Sequence, residues 1–228
     1  MTTFGLIHGA WHGAWCWDRL AAELERRGHR AVAVELPCDD PAATTMDNAK
    51  LVADALGDAD DLVVVGHSLG GIVAPVLPML RPVRTVVFLC ALMPRPGRSL
   101  GEVMSSEPET TTEAFNHLPR HVGEDGSVWW DPDVAVQAFY RHCDPDAARW
   151  AATRLRPQVW TTSREPCPLD RWPDCRLVSI VCADDEVVTP DWSRRIARDV
   201  LGVEPVELPG GHFPMIALPV ELADALTG

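Results

Sequence analysis

Residues 62–71 read Leu62-Val63-Val64-Val65-Gly66-His67-Ser68-Leu69-Gly70-Gly71. A short apolar run meets a Gly-x-Ser-x-Gly pattern, and the segment that follows, up to Leu80, reads as a helix. Five letters alone are a weak signal. The strand before them and the helix after them make a nucleophile elbow. A sharp strand-to-helix turn forces its central residue into sparsely populated backbone angles and crowds its neighbours. Glycines carry no Cβ and relieve that crowding. The product is a serine hydroxyl at the tip of a turn with a helix N-terminus behind it. Such a group can form an acyl-enzyme.

Outward from the elbow, short β-rich runs alternate with helical patterns. Strands are expected at Phe4–Ile7, Ala31–Leu36, Leu62–Val65, Val83–Leu89, Arg176–Cys182 and Glu204–Leu208. Their apolar runs are continuous, as in a parallel sheet covered on both faces. Helices are expected at Trp15–Arg27, Asp47–Leu56, Leu69–Leu80, Trp192–Leu201 and Pro219–Leu226. Arg26-Arg27-Gly28 is a C-terminal stop for the first. Pro75 and Pro78 disturb the third. The fold class is α/β: a doubly wound, mostly parallel six-stranded sheet. Residues 1–93 and 175–228 form its core. In residues 94–174 the strand signal vanishes and prolines punctuate both ends. This aromatic-rich, mostly helical insertion reads as a lid.

The elbow serine needs a base. His212, in Pro209-Gly210-Gly211-His212-Phe213, follows the last strand at the edge of the sheet where ligands gather. It can take the proton from Ser68 and return it to the leaving group. The base needs an acid, and Asp184-Asp185-Glu186 follows the fifth strand. Asp185 is the first choice, then Asp184, then Glu186. Asp191 reads as a helix cap before Trp192. Backbone N–H groups of Leu69 and Ala10 are the expected oxyanion donors, and Gly9 allows close approach there. Trp11, Trp129, Phe139 and Phe213 are the candidate substrate-binding residues. Activity should rise with pH as His212 loses its proton, near ~6.5 for an unperturbed ring.

Other features carry less. His8 and His12 are spaced like metal ligands, but a glycine-containing loop lacks the helix that spacing needs. His8 reads as a brace for the loop and His12 as local structure. His142-Cys143 reads as packed insertion residues. The acidic trio lacks the spacing of a calcium loop. No Walker-type loop and no Gly-x-Gly-x-x-Gly follows the first strand. No metal and no cofactor is expected.

The 228 residues suit one domain, and the net charge of −13 argues against nucleic acid and an anionic membrane as partners. Seven cysteines without metal-ligand spacing suit a reduced cytoplasmic chain. The N-terminus enters a strand at once and carries no signal-peptide pattern. The expected partner is a small apolar ester; a homodimer is compatible with the sequence.

These residues carry a resemblance. His8-Gly9-Ala10-Trp11-His12-Gly13-Ala14-Trp15-Cys16-Trp17, Gly66-His67-Ser68-Leu69-Gly70-Gly71 and Gly210-Gly211-His212 resemble the α/β-hydrolase branch of plant methylesterases, hydroxynitrile lyases and small bacterial carboxylesterases. The order serine, acid, histidine is that of α/β-hydrolases. The resemblance implies the α/β-hydrolase fold, no cofactor, and ester hydrolysis or cyanohydrin cleavage. It implies Asp185 as the acid, five residues before Pro190. The lyases carry Thr after the first-loop histidine and Lys after the catalytic one. Gly9 and Phe213 stand there in this chain, which favours a serine esterase. The alternatives are a lyase or elimination catalyst, a biosynthetic thioesterase or acyltransferase, and a ligand-binding protein on the same scaffold.

Overall fold

The computed structural model describes all 228 residues. The chain opens with β1 (Thr3–Ile7), then a 3-10 turn (Ala14–Trp17), α1 (Asp18–Arg26) and β2 (Arg30–Val34). α2 (Thr45–Leu56) leads to β3 (Leu62–His67), two 3-10 segments (Ser68–Ile72 and Ala74–Met79) and β4 (Thr85–Leu89). Next come α3 (Leu100–Ser106), α4 (Glu113–His117), a hairpin of β5 (His121–Val122) and β6 (Val128–Trp129), α5 (Pro132–Phe139), α6 (Pro145–Ala152) and α7 (Thr161–Arg164). The chain then returns as β7 (Arg176–Cys182), α8 (Pro190–Ile196), β8 (Val206–Leu208), α9 (Pro214–Ala217) and α10 (Pro219–Thr227).

Six strands pair in the order β2-β1-β3-β4-β7-β8, every pair parallel. β1, β3 and β4 are buried along their whole length, which explains their unbroken apolar runs. The first crossover runs from β1 out to β2. All later ones run the other way, so the order reverses between β1 and β3. In open α/β sheets the functional crevice lies outside the carboxyl ends of the strands at such a switch point. The register makes the place specific: Ile7 pairs with Gly66, and His67 pairs with Leu89. The loop after β1 therefore emerges beside Ser68.

Several element boundaries differ from the sequence expectations. The segment Leu69–Leu80 is not an α-helix. It is two 3-10 stretches, with Pro75 and Pro78 inside the second. Proline has no N–H to bond four residues back and clashes with the preceding turn. Asp191 caps nothing. Thr189 holds the N-cap position of α8, and Asp191 pairs with Arg194 at 2.8 Å. A π-turn, Ala197–Leu201, follows α8 and ends at left-handed Gly202. The insertion is not purely helical either. Its two-residue strands β5 and β6 are too short to leave a periodic signal.

Most apolar side chains buried in residues 94–174, Phe115, Trp130 and Phe139 among them, belong to the same continuous cluster as Phe4 and Leu6 of the sheet. The insertion therefore shares the core of the sheet. Its start is stitched to the loop after β7: Thr112 N–H donates to the Val187 carbonyl, and Thr189 N–H to that of Thr110.

Central and edge strands should differ sharply in sensitivity. Leu6→Ala, at a fully buried site on β1, is expected to cost about 2–5 kcal/mol. Val206→Ala, on edge strand β8 and 38% exposed, should cost under about 1 kcal/mol. Urea unfolding of both variants checks this.

Candidate active site

Three non-glycine residues have positive φ: Trp11 at 64°, Ser68 at 51° and Cys90 at 45°. They lie just beyond β1, β3 and β4, at one edge of the sheet. Side chains rarely adopt this backbone, and strain of this kind gathers at functional sites. For Ser68 the cause is the turn from β3 into the 3-10 segment. Its neighbours have no room for a Cβ. One on Gly66 would sit 2.6 Å from the Gly70 oxygen, and one on Gly70 would sit 2.7 Å from the Ile7 oxygen. Ser68 itself is buried, and its carbonyl accepts the Leu92 N–H.

Of the three acids after β7, Asp185 meets His212. His212 Nδ1 lies 2.7 Å from Asp185 Oδ2, and both side chains are buried. Asp185 Oδ1 accepts the N–H groups of Val187 and Val188. Those bonds fix the carboxylate. With Nδ1–H directed at the acid, His212 keeps Nε2 as its basic nitrogen. Asp184 is exposed, and its carboxylate accepts the Gly210 N–H, tying the acid loop to the histidine loop. Glu186 is exposed and pairs with Arg141.

His67, the second letter of the elbow pattern, has a role that the sequence did not reveal. Its Nε2 donates to the His212 carbonyl at 2.8 Å. The residue next to Ser68 thus anchors the backbone of His212. Only the register between distant loops creates this contact, so no local pattern announces it.

The loop after β1 is braced from both sides. His8 Nδ1 donates to the Gly9 carbonyl, and His8 Nε2 accepts the Leu36 N–H. His12 Nδ1 donates to the Ala10 carbonyl at 2.7 Å, and its Nε2 accepts the Tyr140 hydroxyl at 2.5 Å. His12 also stacks on Phe213, with ring centroids 4.3 Å apart. It is therefore more than local structure, because it joins the loop to the insertion. Ala10 N–H has no acceptor in the protein. Leu69 is the second residue of its 3-10 segment, where N–H groups have no partner within the helix.

The expected substrate-binding aromatics divide. Trp11, Phe139 and Phe213 are buried and form one cluster with Phe115, Trp130 and Tyr140. Trp11 is pinned there: its indole N–H donates to the Val128 carbonyl and its backbone N–H to Gln158 Oε1. Trp129 is not brought to the cluster. It is 38% exposed and stacks on His121, while its neighbour Trp130 points inward. Successive residues of a strand face opposite sides, and in β6 buried Val128 and exposed Trp129 do so. His142 is likewise not packed. It is exposed, with its ring against Gly211.

Cys90 was not singled out in the sequence. Its sulfur lies within 4.8 Å of an Asp185 oxygen and a His212 nitrogen. The adjacent Cys182 side chain, and then burial, hold its thiol well above the usual range. It is therefore a neutral neighbour of the Asp185–His212 pair. All seven cysteines are free.

The fold and this site define a class before any relative is considered: an α/β sheet with a strained serine and a buried acid–histidine pair at its switch point. The family model of the alpha/beta hydrolase family matches residues 6–225. The chain belongs to that family. Methylesterase 7 of Arabidopsis thaliana is 28% identical over 98% of this chain and 94% of its own length. A carbendazim hydrolyzing esterase of a Nocardioides strain is 27% identical over 99% and 98%. The crystal structure of polyneuridine aldehyde esterase superimposes with a TM-score of 0.84, covering 99% and 98% of the two chains at 21% identity. No helix is long and apolar enough to cross a membrane.

Burial pulls His8 down to about 4 and His12 down to about 3, and it holds His67 well below the ordinary value. Unfolded, these rings titrate near ~6.5. Below that pH the unfolded chain binds more protons than the folded one, so stability falls as the solution is acidified. Each ring withdraws up to about 1.4 kcal/mol per pH unit in this window. Urea unfolding at pH 7 and pH 5 should show a clear loss at pH 5. Equal stability at both would mean that the three rings are not held neutral.

Proposed function

We propose that this protein is a serine esterase that hydrolyses small carboxylic esters through Ser68, His212 and Asp185. The observation that carries this reading is the buried 2.7 Å contact between His212 Nδ1 and Asp185 Oδ2, beside the left-handed Ser68. Ser68 Oγ attacks the ester carbonyl while His212 Nε2 takes its proton. The negative oxygen is received by the N–H groups of Ala10 and Leu69. The C–O bond to the alcohol breaks, the alcohol leaves with the proton from His212, and Ser68 holds the acyl group. Water, deprotonated by His212, then releases the acid and restores Ser68. Asp185 keeps the imidazole in one tautomer and stabilises its cation.

Several relatives support an ester with a small alcohol portion, because they are named methylesterases and, in Vitis vinifera, methyl jasmonate esterase 1. The lyase reading lacks support at two positions. A Cβ on Gly9 would lie 2.7 Å from Ser68 Cβ, so threonine does not fit this backbone. Phe213 is stacked on His12 and supplies no cation. The insertion acts as the lid over the site in this reading.

Ser68→Ala is expected to abolish turnover of p-nitrophenyl esters, and Asp185→Asn to lower kcat by about 10⁴-fold. Steady-state kinetics on the two folded variants checks both. An Asp185→Asn enzyme that keeps full kcat would remove Asp185 from the triad.

A further inference from the structure

The proposed reaction leaves one buried thiol at the site unused. Cys90 stands just beyond β4 with a φ of 45°. Leu89 pairs with Ile180 across the sheet. Regular pleating would therefore put Cys90 and Cys182 on opposite faces. The left-handed backbone at Cys90 breaks that alternation, and the two thiols are adjacent. On the acid–histidine side, the Cys90 sulfur, an Asp185 oxygen and a His212 nitrogen all lie within 4.8 Å of one another. All three residues are buried.

A sulfur, an imidazole nitrogen and a carboxylate oxygen make a donor set that suits zinc or the softer cadmium. Magnesium and calcium call for oxygen ligands, and the group offers one carboxylate. Around tetrahedral zinc the bonds run about 2.0–2.3 Å, which sets such ligands about 3.4–3.6 Å apart. The three donors need only close slightly onto one ion, while the His212–Asp185 contact opens from 2.7 Å. The adjacent Cys182 side chain, and then burial, hold the Cys90 thiol well above its usual range. An ion must displace that proton, which sets its affinity below that of a resident zinc centre.

We propose that Cys90, Asp185 and His212 form an inhibitory site for a soft divalent ion of the zinc and cadmium class. That the ion inhibits rests on the esterase reading above; that it binds does not. On binding, the Cys90 proton passes to solvent. An ion on His212 Nε2 occupies the base directly. An ion on Nδ1 replaces the bond to Asp185 and leaves the ring proton on Nε2, because a neutral imidazole has one N–H and one free lone pair. In both cases His212 cannot take the proton of Ser68.

The test titrates cadmium chloride into the reduced, metal-free protein and follows thiolate-to-cadmium absorption in the ultraviolet, with calorimetry alongside. The wild type is expected to show this absorption and Cys90→Ser to lose one equivalent of it. Serine keeps the shape of the side chain but offers a hard oxygen. Asp185→Asn should weaken cadmium binding about tenfold or more. Magnesium chloride should give no signal. Zinc chloride should lower turnover of p-nitrophenyl esters, and EDTA should restore it. Relative to its own zinc-free rate, Cys90→Ser should need about tenfold or more zinc for the same loss. Cadmium absorption unchanged in Cys90→Ser would overturn the site, since another thiol, such as the partly exposed Cys143 or Cys175, would then hold the ion. Equal inhibition of both proteins by zinc, or zinc bound through Cys90 with turnover intact, would overturn it too. The two readings fail separately. Cadmium bound through Cys90 in a protein that turns over no ester would uphold the metal site and remove the esterase reading. Ser68-dependent turnover with no ion bound through Cys90 would do the reverse.

Discussion

The site depends on one constraint: Ser68 is held with positive φ at the end of β3, wedged where the strand must turn at once into a helical segment. Gly66 and Gly70 have backbone or side-chain atoms closer than 3 Å to any Cβ they could carry. A side chain at Gly70 would collide with the Ile7 carbonyl at the end of β1. The surrounding core keeps the turn in place, since β1, β3 and β4 are buried throughout. Strain stored in one residue is thereby borne by the packing of the whole sheet.

Everything else at the site is indexed to that turn. Parallel register sets the ends of β1, β3, β4 and β7 along one edge, and their loops carry Ala10, Ser68, Cys90 and Asp185 in turn. The loops are then fastened to one another. His67 holds the His212 backbone, Asp184 holds Gly210, and the insertion holds the acid loop through Thr110 and Thr112. Burial keeps His8, His12 and His67 uncharged, so the cluster of rings around His212 adds no positive charge to it.

Much of this was legible in the sequence, and the reasons are local. The strands are apolar runs with turn residues at both ends, and all six lie within a few residues of their expected bounds. Ser68, Asp185 and His212 sit in short loops directly after strands, where sequence position translates into spatial position. The failures are non-local or near the limit of periodic reading. Pro75 and Pro78 change the helical type of the segment after Ser68. The β5–β6 hairpin is too short to show a period, and within it Val128 turns in and Trp129 turns out. His67 and Cys90 face Asp185 and His212 only because strands far apart in sequence lie side by side.

The most direct measurement is intact-mass and peptide mapping after exposure to a fluorophosphonate, which reacts with an activated serine. A single adduct on Ser68, lost in His212→Ala and absent from every other serine, is the expected result. A folded protein that takes no adduct, or takes it on another residue, would contradict the assignment of Ser68 as the nucleophile.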